Sequence, residues 1–292
     1  MMFDFSVWIN ALRLKTLPAS IIPTLFGAGL SFHFHHRYSL FLLLLTLFCS
    51  VGMQILSNFI NEIYDFRKGA DNKRIGPERM VASGKISIKD MAYASAVLTL
   101  MVLLIGSYLS WLTSPYIFII GLVSTASAFF YTGGPYPLAY KGLGEVFVIF
   151  FFGIIATSGS FFIQSGTIDL WVVTSGIIPG LLSSNILSVN NVRDRESDLI
   201  VNKKTLAVML GDAWGRRIIY IQTIITFAIA VVLGLQADLS WAITLICPAM
   251  VYAFIALQSM TKRHNEELNQ SLADFSILLI VFMVSFYCAL IL

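Results

Sequence analysis

Hydrophobic residues run along this chain in long unbroken blocks separated by short polar connectors. The blocks lie at about 16 to 35, 39 to 63, 91 to 112, 115 to 132, 143 to 164, 170 to 190, 217 to 236, 239 to 259 and 273 to 292. Most reach the roughly 20 residues with which an α-helix crosses about 30 Å of hydrocarbon. None shows the apolar/polar alternation of a membrane β-strand. A bilayer also requires each spanning segment to satisfy its own backbone hydrogen bonds, and helices do so. The pattern therefore predicts an all-α polytopic membrane helix bundle of about nine transmembrane helices, with 1–292 as a single domain and 115 to 132 as its shortest span.

Composition agrees. With 57% hydrophobic and 12% charged residues and a mean hydropathy of +0.81, the chain lies outside the range of soluble domains and has no basic tract that would suit nucleic acid. The few charges set the orientation. All but Arg37 of the 19 Lys and Arg fall at the N-terminus or in the loops after the second, fourth, sixth and eighth spans. By the positive-inside rule these face the cytoplasm, and nine crossings put the C-terminus on the opposite side. The chain opens without a small-residue cleavage site, so the first helix is expected to remain. Cys49, Cys247 and Cys288 lie in apolar blocks without metal-site spacing and are expected to be buried thiols. His33, His35 and His36 read as an interfacial loop.

Carboxylates are costly at membrane depth, so the acidic residues that close two of the spans stand out. Asn61-Glu62-Ile63-Tyr64-Asp65 ends the second span, and Asn190-Asn191-Val192-Arg193-Asp194 ends the sixth, followed by Asp198. At 3.6 residues per turn Asn58, Asn61 and Asp65 share one helix face, as do Asn190, Asp194 and Asp198. Two such oxygen-rich stripes suit hard divalent cations such as Mg²⁺, which complete their coordination with substrate phosphates. The matched NxxxD clusters also form a faint internal repeat that would bring both to one site. Lys and Arg in the loops after these spans offer charge-assisted hydrogen bonds to phosphate oxygens. The segment Tyr131-Thr132-Gly133-Gly134-Pro135-Tyr136-Pro137-Leu138-Ala139-Tyr140-Lys141 has turn chemistry and is expected to roof the cavity.

Five blocks in order resemble the UbiA superfamily of intramembrane prenyltransferases, and within it the branch that acts on 1,4-dihydroxy-2-naphthoate. They are Arg13-Leu14-Lys15-Thr16-Leu17-Pro18; Asn61 to Asp71 with Arg74-Ile75-Gly76-Pro77; Tyr131-Thr132-Gly133-Gly134-Pro135; Gly142-Leu143-Gly144-Glu145; and Asn190-Asn191-x-Arg193-Asp194-x-x-x-Asp198 with Asn202-Lys203-x-Thr205. The resemblance implies nine helices around a central cavity, two Mg²⁺ ions, and transfer of a polyprenyl chain from its diphosphate to an aromatic acceptor with loss of CO₂. It implies Asn61, Asp65, Asp194 and Asp198 as metal ligands, with Asp65 and Asp194 central to catalysis. Asn58, Asp71 and Asn190 would be further ligands or supports, and Lys15, Arg74, Arg79, Lys141 and Lys203 would hold the diphosphate. The chain departs from the family pattern at Glu62, where an Asp is common, so Glu62 is not assigned as a direct ligand. Tyr136 and Lys141 stand one residue further apart than the family's Tyr-x-x-x-Lys. The alternatives are another acceptor, 4-hydroxybenzoate or homogentisate, or a secondary transporter. Against a transporter, the acidic stripes sit at helix ends beside basic loops rather than at mid-span.

Overall fold

The computed structural model describes residues 5–71, 75–236 and 246–291, and among them every regular element is helical. In chain order these are α1 (Phe5–Leu12), α2 (Pro18–His35), α3 (Leu40–Arg67), α4 (Ile88–Leu112), α5 (Pro115–Phe130), α6 (Gly144–Ser165) and α7 (Leu170–Arg193). They are followed by α8 (Arg195–Ile200), α9 (Leu206–Leu210), α10 (Asp212–Gln236), α11 (Cys247–Lys262) and α12 (Leu268–Ile291). Local chemistry sets the ends. Ser39, Ser87, Ser114, Asp169 and Thr205 each accept a backbone N–H at a helix start, supplying the acceptor that the first turn lacks. Gly166, at φ +77°, ends α6 in the left-handed conformation that a side chain would disfavour.

Six of these helices are long and apolar enough to cross a membrane. A seventh is counted if the segment Phe5–Thr16 and α2, which meet at 57°, form one bent span. The expected nine are thus not reached by length and composition. Helix α5 has only 16 residues, and α11, also 16 residues, follows a stretch outside the described residues. The protein is an integral, multi-pass membrane protein.

Helix α7 is the axis of the bundle: 78% of its most apolar window is buried, against 17% for α4. It packs on α6, α10 and α12 around Phe161, Ile178, Leu182, Ile219, Phe275 and Phe282. The approach of α6 to α7 depends on glycine. A Cβ on Gly153 would stand 2.5 Å from the Gly176 carbonyl oxygen, and one on Gly180 would stand 2.6 Å from the Ile149 carbonyl oxygen. Along this contact α6 is underwound into a π-helical stretch, Ile149–Ile155. A second cluster holds the loop after α3 in place, with Met80, Val81 and Ile86 packed beside Ala11, Phe59 and Ile63.

The outward faces of α4, α10 and α11 carry exposed Leu100, Leu104, Val232, Val251 and Phe254, as lipid contact requires. The cysteines divide along the same line. Cys49 is buried, but Cys247 and Cys288 are exposed, which corrects the expectation of three buried thiols. An apolar thiol on a spanning helix is as well solvated by lipid as by protein.

Candidate active site

A cavity of about 680 Å³ lies within the bundle, of a size that takes a small-molecule ligand. One part of its wall is apolar, with Val102, Leu109, Ile117, Phe147, Phe151 and Ile163. Another part is polar and built from helix ends, with Lys15, Asn61, Asp65, Arg79, Arg193 and Lys203.

The two acidic clusters meet there. Lys203, after α8, places Nζ 3.6 Å from Asp65 Oδ2 and 3.5 Å from Asp198 Oδ1, so one ammonium bridges a carboxylate from each. Both aspartates are buried. Tyr140 Oη donates to the other oxygen, Asp65 Oδ1, at 2.7 Å. Burial and the Asp65 carboxylate push that hydroxyl well above the usual tyrosine value. Lys68 stands 3.8 Å from the Tyr140 ring centroid and donates to the Thr132 carbonyl. Burial pulls its ammonium down, Asp65 pulls it up, and Lys203 pulls it down. On the same face of α3, Asn61 Oδ1 is buried and accepts no hydrogen bond. That amide oxygen and the Asp65 and Asp198 carboxylates form a hard-oxygen donor set that fits a divalent cation. Among the described residues no group of three or more His, Cys, Asp or Glu converges.

A layer of arginines fixes this arrangement. Glu62 Oε1 accepts from Arg13 at 3.1 Å and Arg79 at 3.4 Å, and Oε2 accepts from the Val81 backbone N–H at 3.1 Å. This ties the start of the chain, α3 and the following loop together. Arg79 Nε lies 3.5 Å from Asp71 Oδ1. Glu62 therefore faces the arginines. Arg13, at φ 54°, also donates to Asn58 Oδ1 at 3.5 Å, and Asn58 Nδ2 donates to the Leu12 carbonyl at 3.2 Å. Asn58 is a strut between the bent N-terminal segment and α3.

The second cluster is split. Arg193 donates from Nε to Asp194 Oδ1 at 2.7 Å and from Nη2 to Asp194 Oδ2 at 2.8 Å. It also donates to Asn190 Oδ1 and to Asn269 Oδ1. Helix α7 ends at Arg193 and α8 begins at Arg195, with i+4 backbone bonds running through the junction from the Asp194 N–H to the Asn190 carbonyl and from the Asp198 N–H to the Asp194 carbonyl, while the Asp194 carboxylate turns to its neighbour. Asp194 and Asn190 thus meet Arg193, and Asp198 meets Asp65 through Lys203.

Lys141, expected at the diphosphate, is exposed and lies over Tyr136, 5.4 Å from its ring centroid. In the short 3-10 helix Leu138–Lys141 successive side chains diverge, so Tyr140 turns in and Lys141 turns out. Arg74 lies outside the described residues. Tyr140 and Lys68 are site residues that periodicity could not find, because both belong to loop geometry. Their signal is the aromatic and basic content of the segments that close α3 and precede α6.

A bundle of apolar helices whose cavity carries Asp65 among Lys15, Arg79, Arg193 and Lys203 defines a membrane-embedded protein with a charged site inside its apolar body. Residues 20–286 match the model of the UbiA prenyltransferase family; the chain belongs to that family and is a prenyltransferase. It is similar to 1,4-dihydroxy-2-naphthoate octaprenyltransferase of Mycobacterium leprae, with 32% identity over 97% of this chain and 96% of that one. It is also similar to the Haemophilus influenzae protein of the same name, with 30% identity over 96% and 94%. The fold is that of a UbiA homolog from Archaeoglobus fulgidus solved bound to GPP and Mg²⁺, with a TM-score of 0.71, 17% identity and coverage of 98% of this chain and all of that one.

Proposed function

We propose that this enzyme transfers a polyprenyl chain from its diphosphate to 1,4-dihydroxy-2-naphthoate, releasing CO₂ and diphosphate, in menaquinone or phylloquinone biosynthesis. The observation that carries the reading is the Asp65–Lys203–Asp198 bridge at the polar part of an otherwise apolar cavity. The acceptor follows from the relatives named above, which match nearly the whole chain.

Asn61, Asp65 and Asp198 would hold Mg²⁺, with Asp194 and its Arg193 partner beside them. When bound, the metal supplies positive charge that makes diphosphate a better leaving group. Lys203, Arg79 and Lys15 face the same space and bind diphosphate oxygens, Arg79 kept in place by Glu62 and Asp71. The prenyl chain lies along the Phe147, Phe151, Ile117 and Val102 wall, which excludes water from the reacting carbon. Aromatic faces there stabilise developing allylic positive charge. The allylic carbon–oxygen bond breaks and its electron pair leaves on diphosphate. An electron pair of the ring carbon that bears the carboxylate forms the new carbon–carbon bond. That carboxylate then leaves as CO₂ and returns its bonding pair to the ring, giving the prenylated diol. The distribution of basic residues supports a site and N-terminus on the cytoplasmic side, with an odd number of crossings taking the C-terminus to the other side.

The test is incubation of purified protein with Mg²⁺, a long prenyl diphosphate, and 1,4-dihydroxy-2-naphthoate or 4-hydroxybenzoate, with products read by mass spectrometry. The expected product is the prenylated naphthalenediol without its carboxyl group. Product from the benzoate alone would overturn the acceptor assignment.

A further inference from the structure

Glu145 is the carboxylate that the reaction as described leaves unused. It sits in the first turn of α6, is 4% exposed and lines the cavity. Its Oε1 accepts a hydrogen bond from Asn191 Nδ2 at 2.9 Å, while Oε2 is buried without any hydrogen-bond partner. A buried carboxylate oxygen left unpaired is costly, and a native cavity that keeps one commonly reserves it for a ligand.

The surroundings say which ligand. Beside Glu145 the wall carries Tyr131, Phe147, Phe151 and Leu187, flat and apolar surfaces suited to an arene. Gly144 lets them close in, because a Cβ there would stand 3.0 Å from Tyr131 Oη and 3.2 Å from Leu187 Cδ2. The Tyr131 hydroxyl lies within Coulombic reach of Glu145, Asp65 and Asp198 together, so this wall adjoins the place where the diphosphate would ionise. Among the described residues no cation is paired with Glu145, unlike Glu62, Asp65, Asp194 and Asp198. An acceptor-only oxygen in an aromatic slot calls for a neutral hydrogen-bond donor on a ring.

We propose that Glu145, held by Asn191, receives the hydrogen bond of a ring hydroxyl on the aromatic acceptor, and so orients the hydroxyarene beside the allylic carbon. This rests on the reading that the enzyme prenylates a hydroxyarene, and it adds the residue that recognises the hydroxyl. A hydrogen bond donated to the carboxylate also leaves more electron density on the ring carbon that attacks.

Equilibrium binding tests it without turnover, by fluorescence titration of 1,4-dihydroxy-2-naphthoate and of 4-hydroxybenzoate onto purified wild type, Glu145→Gln and Glu145→Asp. Mn²⁺ and a prenyl diphosphate serve as control ligands. A hydrogen bond to a charged group predicts about tenfold or greater weakening of the hydroxyarene in Glu145→Gln, with Mn²⁺ and prenyl diphosphate held within about twofold. On wild type, methylating the recognised hydroxyl should cost a similar factor, a readout that needs no variant. Equal weakening of all ligands, or none, overturns the proposal, as does undiminished binding of the methyl ethers. Wild type that binds the benzoate and not the naphthoate overturns the acceptor assigned above, while Glu145 is still judged on the benzoate; binding of neither overturns both.

Discussion

Lys203 bridges an aspartate from each acidic cluster, so replacing it with methionine, of similar length but no charge, should be felt first in the metal-free protein. At 3.6 and 3.5 Å the ammonium attracts Asp65 and Asp198 with about 4 to 5 kcal/mol each before desolvation, at an effective dielectric of about 20. Its side chain is only 13% exposed and both partners are nearly enclosed, so solvent screens little of this. Removing one member of such a buried group typically costs about 3–5 kcal/mol, because the remaining charges stay buried and unpaired. In this case two carboxylates would also repel each other. For a chain of this size that amounts to a fall of roughly 10 °C in the melting temperature. Mg²⁺ should return most of the loss, because a divalent cation between the same oxygens does what the ammonium did, and wild type should gain less from the metal. The assay is thermal unfolding in detergent with EDTA and with Mg²⁺. An unchanged metal-free midpoint, or the same Mg²⁺ increment in both proteins, would refute the reasoning.

Other outcomes follow from the same geometry. Glu62→Ala removes the buried carboxylate that Arg13 and Arg79 share, leaving them Asn58 and Asp71, and should cost up to about 3–5 kcal/mol in a way that Mg²⁺ does not restore, which the same melts would report. Arg79→Ala should raise the KM for prenyl diphosphate by about tenfold, whereas Lys141→Ala, turned outward onto Tyr136, should leave it unchanged; steady-state kinetics compare them. Gly153→Val would drive a side chain into the backbone of Gly176 and Gly180, costing at least about 1–3 kcal/mol. Gel filtration in detergent should show a smaller monodisperse yield, and a normal elution profile with unchanged melting would contradict the close helix approach.

The helical, membrane-spanning character was legible because each apolar block has to satisfy its backbone within itself, whereas the number of spans was not, since length and composition support six or seven rather than nine. The pairing of Asp65 with Asp198 was half legible. The 3.6-residue period put Asn61 with Asp65 and Asp194 with Asp198, but the reach of Arg193 to both Asp194 oxygens is a side-chain contact that periodicity does not report. Tyr140 and Lys141 show the other limit. Adjacent residues in a short 3-10 helix point toward Asp65 and out onto Tyr136, and only the path of the turn after Pro137 decides which is which. Glu145 was noticed as part of a family block, yet its unpaired oxygen depends on where α7 places Asn191.

The account is tested most directly by anomalous diffraction from crystals grown with Mn²⁺ and a non-hydrolysable prenyl diphosphate analogue. A metal peak within coordination distance of both Asp65 and Asp198, with the diphosphate against Lys203 and Arg79, is the predicted result. A metal bound away from Asp65 and Asp198, or a diphosphate seated elsewhere in the bundle, would contradict it.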